Sequence, residues 1–573
     1  MPSNYDDGIL QPRTRGRDGS PLPSARLVSS RCASVGENSA SGRFTLSVMQ
    51  WGQFIDHDIT HVPVQRLNVT SGVNCCSEGI SRDRVRQLPE CFPIDVPAND
   101  PFYSRFRVRC LNFLRSIPAL RDGCGEQPAQ QVNQITHWLD GSNVYGSSAA
   151  ELAHLRRAGS HLMRTSAHGR LPRMPHGAGE GCAENNGVCF RAGDTRVNEQ
   201  ISLTAIHNIW VTMHNRIADT LRRINPRASA EDIFQESRAV NVALMQRVIY
   251  SEWLPIVLGA DMVRRLGLDR PGRYRADLHP GIVNEFAAAA FRFGHSLVAG
   301  RISVPGRGRA LRLSDVFFNP GGQMQQRGML LSLIRGLISQ PAQRMDSTFS
   351  REIVGLLFRG ERQHGLDLVA LNIQRGRDHG IGTYSQTWAA LQTACPQLGD
   401  PPTRWEHLND AMTPGRVAQL RAVYRSVEDV DLFVYLFVYL FVHLLVVLFV
   451  YRQVAQLRSV YRSVEDVDLF VGGVAEEPAG GALVGPTFQC LLAEQFTRLK
   501  YADRHFYNHE SSMFSDAQLD AIDSMSWSAV LCEAFPQLGR IQENAFFISR
   551  RRGRRCRRTF TMEAWRNVLP RRR

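Results

Sequence analysis

Five stretches of the chain concentrate side chains able to do chemistry. The first is Trp51-Gly52-Gln53-Phe54-Ile55-Asp56-His57-Asp58. On a helix, Gln53 and His57 lie four residues apart and share a face, with Asp56 and Asp58 on either side of the histidine. Three polar groups beside one imidazole in an otherwise apolar helix are costly unless something uses them; the plain alternative is a solvated helix end. The second is Thr136-His137-Trp138-Leu139-Asp140-Gly141-Ser142. Oxygen-bearing side chains at Thr136, Asp140 and Ser142, with the Trp138 carbonyl between, alternate as in calcium loops, where a hard cation takes side-chain and backbone oxygens together. The loop is not a full EF-hand, so at least one ligand must come from elsewhere, and an Asx/Ser turn is the alternative. The third runs from Arg191 to Glu199 as RAGDTRVNE. The fourth, Phe291-Arg292-Phe293-Gly294-His295, places a histidine on an apolar helix, where it is more often a satisfied core residue than a ligand. The fifth is the polar-dense string Leu371-Asn372-Ile373-Gln374-Arg375-Gly376-Arg377-Asp378-His379-Gly380.

The elements that must position these groups are mostly helical. Apolar residues at 44, 46, 48, 51, 54 and 55 predict a helix beneath the first stretch. Further helical periodicity covers 199–224, 231–258, 325–339, 349–359, 365–375, 414–426 and 486–502, and residues 284–298 are apolar nearly all round, the mark of a buried helix. Residues 1–40 read as loop, 62–130 as loop rich in cysteine, and 130–165 as short helical runs around a Gly-Ser loop. Alternating patterns are few, so the fold class expected is mainly α with few short strands.

At 573 residues, 43% hydrophobic, the chain is globular in composition, which excludes a collagen-like, coiled-coil or wholly disordered protein. Its net charge is +14, yet Lys500 is the only lysine among 68 basic residues. Arginines are spread along the whole chain, dense only at 550–558, and read as a coding bias on a solvated surface rather than a nucleic-acid or heparin footprint, which would mix lysine with arginine and cluster both. Twelve cysteines without a repeated CxxC pair argue against structural zinc and for disulfides in a secreted protein. Asn68-Val69-Thr70 is a glycosylation sequon. The first residues have no apolar signal-peptide core, and the expectation is a chain whose true beginning is missing. Residues 417–434 recur at 454–471 with one difference, Ala422 against Ser459. Two copies are too few for a solenoid. Residues 432–451 carry no charge and are long enough to span a bilayer. Their internal Leu-Phe-Val-Tyr repetition instead reads as repeat expansion or faulty gene assembly, giving an inserted duplication at 435–471.

Together and in this order, WGQFIDHD, T-x-W-x-D-x-S, RAGDTR-x-x-E, FR-x-GH and LNIQR-x-RDHG resemble the animal haem peroxidase family, the peroxidase–cyclooxygenase superfamily. The resemblance covers about 50–380 and resumes at 468–473 (DLFVGG) and 485–507 (GPTFQCLLAEQFTRLKYADRHFY). The stretches CFPIDVPANDPF and NQITHWLDGSNVYGSS look most like its secreted arthropod branch of peroxinectin, chorion-peroxidase and peroxidasin-like members. The resemblance implies one haem peroxidase domain over 1–573, with haem b between the His57 and His295 helices. His295 is then the proximal iron ligand and Asn372 the hydrogen-bond partner of its other ring nitrogen. His57 is the distal acid–base, Arg196 the charge that stabilises O–O cleavage, and Gln53 the group orienting water or halide. Asp56 and Glu199 match the carboxylates that form ester bonds to haem, while Gln200 stands where a methionine would make a third link. Arg292, Arg375 and Arg377 are placed to contact haem propionates or buried carboxylates. Asp58 completes a calcium set with Thr136, the Trp138 carbonyl, Asp140 and Ser142. By the same resemblance the disulfides are Cys182–Cys189, Cys395–Cys490, Cys532–Cys556, Cys110–Cys124, and Cys91 with Cys75 or Cys76. A membrane span at 432–451 would separate Cys395 from Cys490, which favours an insertion over an anchor. The implied activity reduces hydrogen peroxide and oxidises a small electron donor (halide, pseudohalide, phenol or tyrosine) through a ferryl intermediate. The competing expectation is a peroxinectin-like adhesion protein with a matrix or cell-surface partner, although no RGD or KGD tripeptide is present.

Overall fold

A computed structural model describes residues 2–36, 40–65, 74–76, 88–119, 127–166, 169–174, 182, 188–402, 460–461 and 463–568. Helices dominate. Among them are α1 (Ala25–Cys32), α2 (Ser47–Ile59), α3 (Ile201–Ile224), α4 (Ala230–Val248), α5 (Asn284–Ala288), α6 (Leu368–Asp378), α7 (Tyr384–Leu391), α8 (Leu469–Ala475), α9 (Pro486–Tyr501) and α10 (Trp527–Ala534). Among the described residues the strands form two-stranded pieces, the longest strand running Ala40–Thr45.

Helix α2 is fixed by its apolar face. Trp51 is fully buried and meets Trp210 of α3 and Trp527 of α10 edge-on, at ring separations of 5.7 and 5.0 Å; such contacts favour one orientation of the rings. Trp253 Nε1 donates to the Val48 carbonyl at 2.9 Å, tying the α4 continuation to α2. Helix α3 begins at Gln200, whose side chain accepts from the Ser202 N–H, and α4 begins with a reciprocal Ser229/Asp232 cap.

Several sequence expectations are corrected. The helix expected over 231–258 contains a π-turn at Ile249–Trp253, just before Pro255, whose missing N–H and ring bulk oppose a regular α-turn there. The expected buried helix over 284–298 breaks at Ala289 (φ −134°, ψ −68°) into α5 and the 3₁₀ turns Ala290–His295. Residues 349–359 are not helical but contain strands Thr348–Phe349 and Val354–Leu357, because Gly355 holds φ at +104° against the Phe102 ring. Within the expected N-terminal loop lies α1, capped by Ser24. Its Arg26 is buried between Asp100 and Asp367, both at 2.7 Å, and Asp367 is itself the N-cap of α6. Lys500 is not a surface relic: it is fully buried. The stretch 414–426 and the apolar tract 432–451 lie outside the described residues. Among the described residues no helix is long and apolar enough to cross a membrane.

Five disulfides join Cys75–Cys91, Cys76–Cys110, Cys182–Cys189, Cys395–Cys490 and Cys532–Cys556. The expected Cys110–Cys124 bridge is therefore wrong. Pairing of Ile94–Asp95 with Cys110–Leu111, and a 2.8 Å bond from the Cys75 N–H to Asn112, bring the adjacent pair Cys75 and Cys76 to Cys91 and Cys110 together.

The end of the second repeat copy is part of the core. Asp468 accepts from Tyr461 at 2.6 Å and forms ion pairs with Arg13 and Arg377, both at 2.7 Å. Gly472 and Gly473 of α8 pack so closely that a Cβ would fall 2.4 Å from the Tyr384 ring and 2.2 Å from the Phe488 ring.

Candidate active site

A cavity of about 500 Å³ opens between α2 and the Ala290–His295 turns, the size class that holds a cofactor. Gln53, Asp56 and His57 reach it from α2, Arg196 and Glu199 from the segment leading into α3, and Arg292 and His295 from the opposite wall; Phe291, Phe317, Phe358 and Leu371 make its apolar sides.

On the α2 side the charges are interlocked. Asp194 caps the 3₁₀ turn Thr195–Asn198 through the Arg196 N–H. It also holds the Arg196 guanidinium by two bonds of 2.8 Å, and Arg196 Nη2 donates to the Thr60 carbonyl at 3.0 Å. Such a fork fixes the guanidinium plane before any ligand arrives. Burial pushes the Asp194 carboxyl up, but Arg196, with smaller pulls from His57 and His61, reverses this and leaves it well below the usual range. His57 is buried, with Nδ1 3.6 Å from Asp194 and no hydrogen-bond partner. Burial first, and Arg196 second, carry its pKa well below the usual value, so it is neutral near pH 7.

Asp56 and Glu199 also face the cavity. Asp56 lies 3.6 Å from Arg196 Nη1, and its side chain is 28% exposed, into the cavity itself. Burial pushes it up to about 6 against the pull of Arg196 and Arg292. Glu199 accepts from Gln53 Nε2 at 2.6 Å and is pushed up to about 7 by burial. Gln200 Nε2 donates to Gln50 at 2.7 Å and to Gln53 at 2.9 Å, completing a fixed amide row.

The opposite wall has no such carboxylate. His295 Nδ1 lies 2.8 Å from Asn372 Nδ2, and Asn372 Oδ1 accepts from Arg292 Nη1 at 2.8 Å. For Nε2 to act as a ligand, the ring proton must sit on Nδ1 and the Asn372 amide must turn its oxygen to accept it. Burial and then Arg292 lower the His295 pKa to about 3, which keeps it a neutral imidazole. Of the other motif arginines, Arg375 lines the cavity and donates to Asp378 at 3.0 Å, whereas Arg377 is committed to Asp468.

Asp58 turns to the other face of α2. It accepts from the Gly141 N–H at 3.1 Å and from Ser142 Oγ at 2.9 Å, and Thr136 Oγ1 donates to Asp140 at 3.0 Å. Trp138 lies in the same loop. Burial raises Asp58 and Asp140, and the Asp140 charge raises Asp58 further. Two buried carboxyls that disfavour each other's charge, set among hydroxyl and backbone oxygens, form a donor set suited to a hard divalent cation. No cluster of three or more His, Cys, Asp or Glu among the described residues makes a metal site of another kind.

The structure thus brings Gln53, Asp56, His57, Arg196, Glu199, Arg292 and His295 to one cavity. It sets Asn372 directly behind His295, and Asp58, Thr136, Asp140 and Ser142 together behind His57. Asp194, Thr60 and the Asn143 amide, which donates to the Phe54 carbonyl at 2.7 Å, carry no signature of these roles in the motifs themselves. Asp194 could have been found as a capping carboxylate two residues before an arginine.

The animal haem peroxidase family model matches residues 1–438 and 444–546, and the chain belongs to that family. It is 34% identical to a chorion peroxidase of Drosophila melanogaster over 93% of this chain and 62% of that protein. It is 34% identical to a peroxidase of the same fly over 95% and 75%, and 32% identical to its peroxidasin over 96% and 35%. The chain thus spans about three-fifths of the chorion peroxidase and about a third of the peroxidasin. Among solved structures, peroxidase A from Dictyostelium discoideum superposes with a TM-score of 0.72 at 23% identity, covering 95% of each chain. A fatty acid alpha-dioxygenase from Oryza sativa follows with 0.68 at 16%, covering 95% and 83%. These likenesses carry the fold.

Proposed function

We propose that the chain is a haem-dependent peroxidase that reduces hydrogen peroxide and oxidises a small donor such as a halide, phenol or tyrosyl group. The observation that carries this is the opposition of His295–Asn372 and His57–Arg196 across one cavity. A haem held there through His295 Nε2 supplies the electrons that reduce the peroxide. The chain supplies the rest. His57, kept neutral, accepts a proton from the peroxide and returns it to the departing oxygen. Arg196, already oriented by Asp194 and Thr60, stabilises the charge that develops there. Gln53 orients a small polar molecule beside His57. Asp56 and Glu199, desolvated carboxyls at the cavity wall, are the groups for covalent attachment of the cofactor. Asp58, Thr136, the Trp138 carbonyl, Asp140 and Ser142 hold calcium, which braces the helix carrying His57. Five disulfides, together with the chorion peroxidase and peroxidasin relatives, support an extracellular setting.

The described residues form one large core with a small satellite around Cys75 and Cys91, read as a single catalytic domain carrying a surplus of one repeat. Removing 435–471 or 417–453 leaves the same chain apart from Ala422 or Ser459, and either deletion keeps one copy followed by Gly472 and Gly473. Either deletion variant retains haem binding. The test of the activity is peroxide-dependent guaiacol oxidation by the haem-loaded chain. It is expected in the parent and lost in His57→Ala and His295→Ala; full activity in both variants would overturn the assignment.

A further inference from the structure

Seven of the nine residues from 550 to 558 are arginine, and the structure gives this run a fixed shape. Arg540–Ile541 pairs antiparallel with Arg554–Arg555, so that Arg540 stands opposite Arg555. The Cys556 N–H donates to the Gly539 carbonyl at 2.8 Å, and the Cys532–Cys556 bridge ties the run to α10. At its other end the Ile548 N–H donates to the Arg43 carbonyl at 2.9 Å, and Phe547 packs on Phe44 at 5.3 Å. The segment is held at both ends, yet all seven arginines are exposed, with exposed Arg43 and Arg540 beside them.

Their pairing differs from that of arginines elsewhere. Arg264, Arg273, Arg275 and Arg566 each pair with a carboxylate on the open surface. In the run, only Arg554 has such a partner among the described residues, Glu543 at 2.7 Å. A coding bias converts lysine to arginine; it does not gather the arginines or strip them of acids.

We propose that this disulfide-held arginine ridge docks a linear sulfated polysaccharide of the heparan-sulfate class. A guanidinium offers two parallel N–H groups that match a sulfate bidentately. A two-stranded frame fixes the spacing of several such forks along an extended chain. No aromatic residue lies within 550–558, so the run offers no stacking platform for unpaired bases, and the disulfide framework places the ridge where sulfated polysaccharides occur. The inference is independent of the peroxidase reading.

The test is binding of the full haem-loaded chain to heparin as a function of salt. It compares the parent, a variant with the arginines of 550–558 changed to Gln, and a control with seven exposed arginines between residues 157 and 273 changed to Gln. The ridge variant is expected to bind at least tenfold more weakly at physiological salt. Its log–log salt slope should be shallower by about one for each arginine–sulfate pair removed. The equally charged control should stay within about twofold of the parent, and fully desulfated heparin should not compete. Unchanged far-UV circular dichroism and thermal unfolding show that the ridge variant is folded. Equal weakening of both variants would reduce the ridge to net charge and overturn the proposal. So would parent binding to random duplex DNA as tight as to heparin and lost with the ridge.

Discussion

His57 and His295 face one cavity from opposite walls, both inside the core and both neutral, but their surroundings differ. His57 sits among charges of both signs: Asp194 3.6 Å from its Nδ1, Arg196 locked to that carboxylate, and Asp56 beside Arg196. Its Nδ1 makes no hydrogen bond. The Nδ1 of His295 is gripped by an uncharged amide, and the nearest cation, Arg292, is bound to that same amide. The first arrangement leaves an imidazole that can take up and return a proton, with opposing charges close by to set its affinity. The second fixes a ring in orientation and denies it a proton, which suits a ligand. Burial alone neutralises a histidine; its partners decide what it can do.

The comparison can be broken at four places. His295→Ala has the largest expected effect: the chain folds but takes up no haem, seen as a missing Soret band and activity at background. Arg196→Gln keeps haem and slows peroxide reduction by about 10²–10³-fold. Arg196 also helps hold the His57 pKa down, so its removal raises that pKa. The loss of rate on acidification then begins at higher pH than in the parent, as stopped-flow measurements across pH would show. Asp194→Asn leaves the arginine present but unheld and is expected to cost less, about 10-fold to 100-fold. Asn372→Asp is the mildest. Haem binding persists, and a carboxylate on Nδ1 makes the imidazole a stronger donor, read as a lower reduction potential by spectroelectrochemistry.

Most of the cavity's residues were legible in the sequence because their motifs are local: Gln53, Asp56 and His57 sit within one helical turn or so, and Arg292 and His295 within four residues. Less legible was whatever depends on distant partners. Helix α1 looks like loop in the sequence because Arg26 resembles a solvated charge until Asp100 and Asp367 are brought to it. The strand at Val354–Leu357 looks helical in the sequence because a run of Val and Leu does not reveal the backbone that Gly355 adopts. The Cys76–Cys110 bridge depends on a strand pairing invisible to spacing. Lys500 shows the same limit. Its ammonium donates to the carbonyls of Leu268 at 3.1 Å and Arg270 at 2.6 Å, and burial lowers its pKa to about 8. A compact head fits that socket where a flat guanidinium fork would not, which accounts for a lysine at this one position.

The most direct measurement is the rate at which haem-loaded His57→Ala reacts with hydrogen peroxide. An intact Soret band is expected, because His295 and Asn372 are untouched, together with a rate lowered by about 10²–10⁴-fold. A parental rate with haem in place would contradict the assignment of proton transfer to His57.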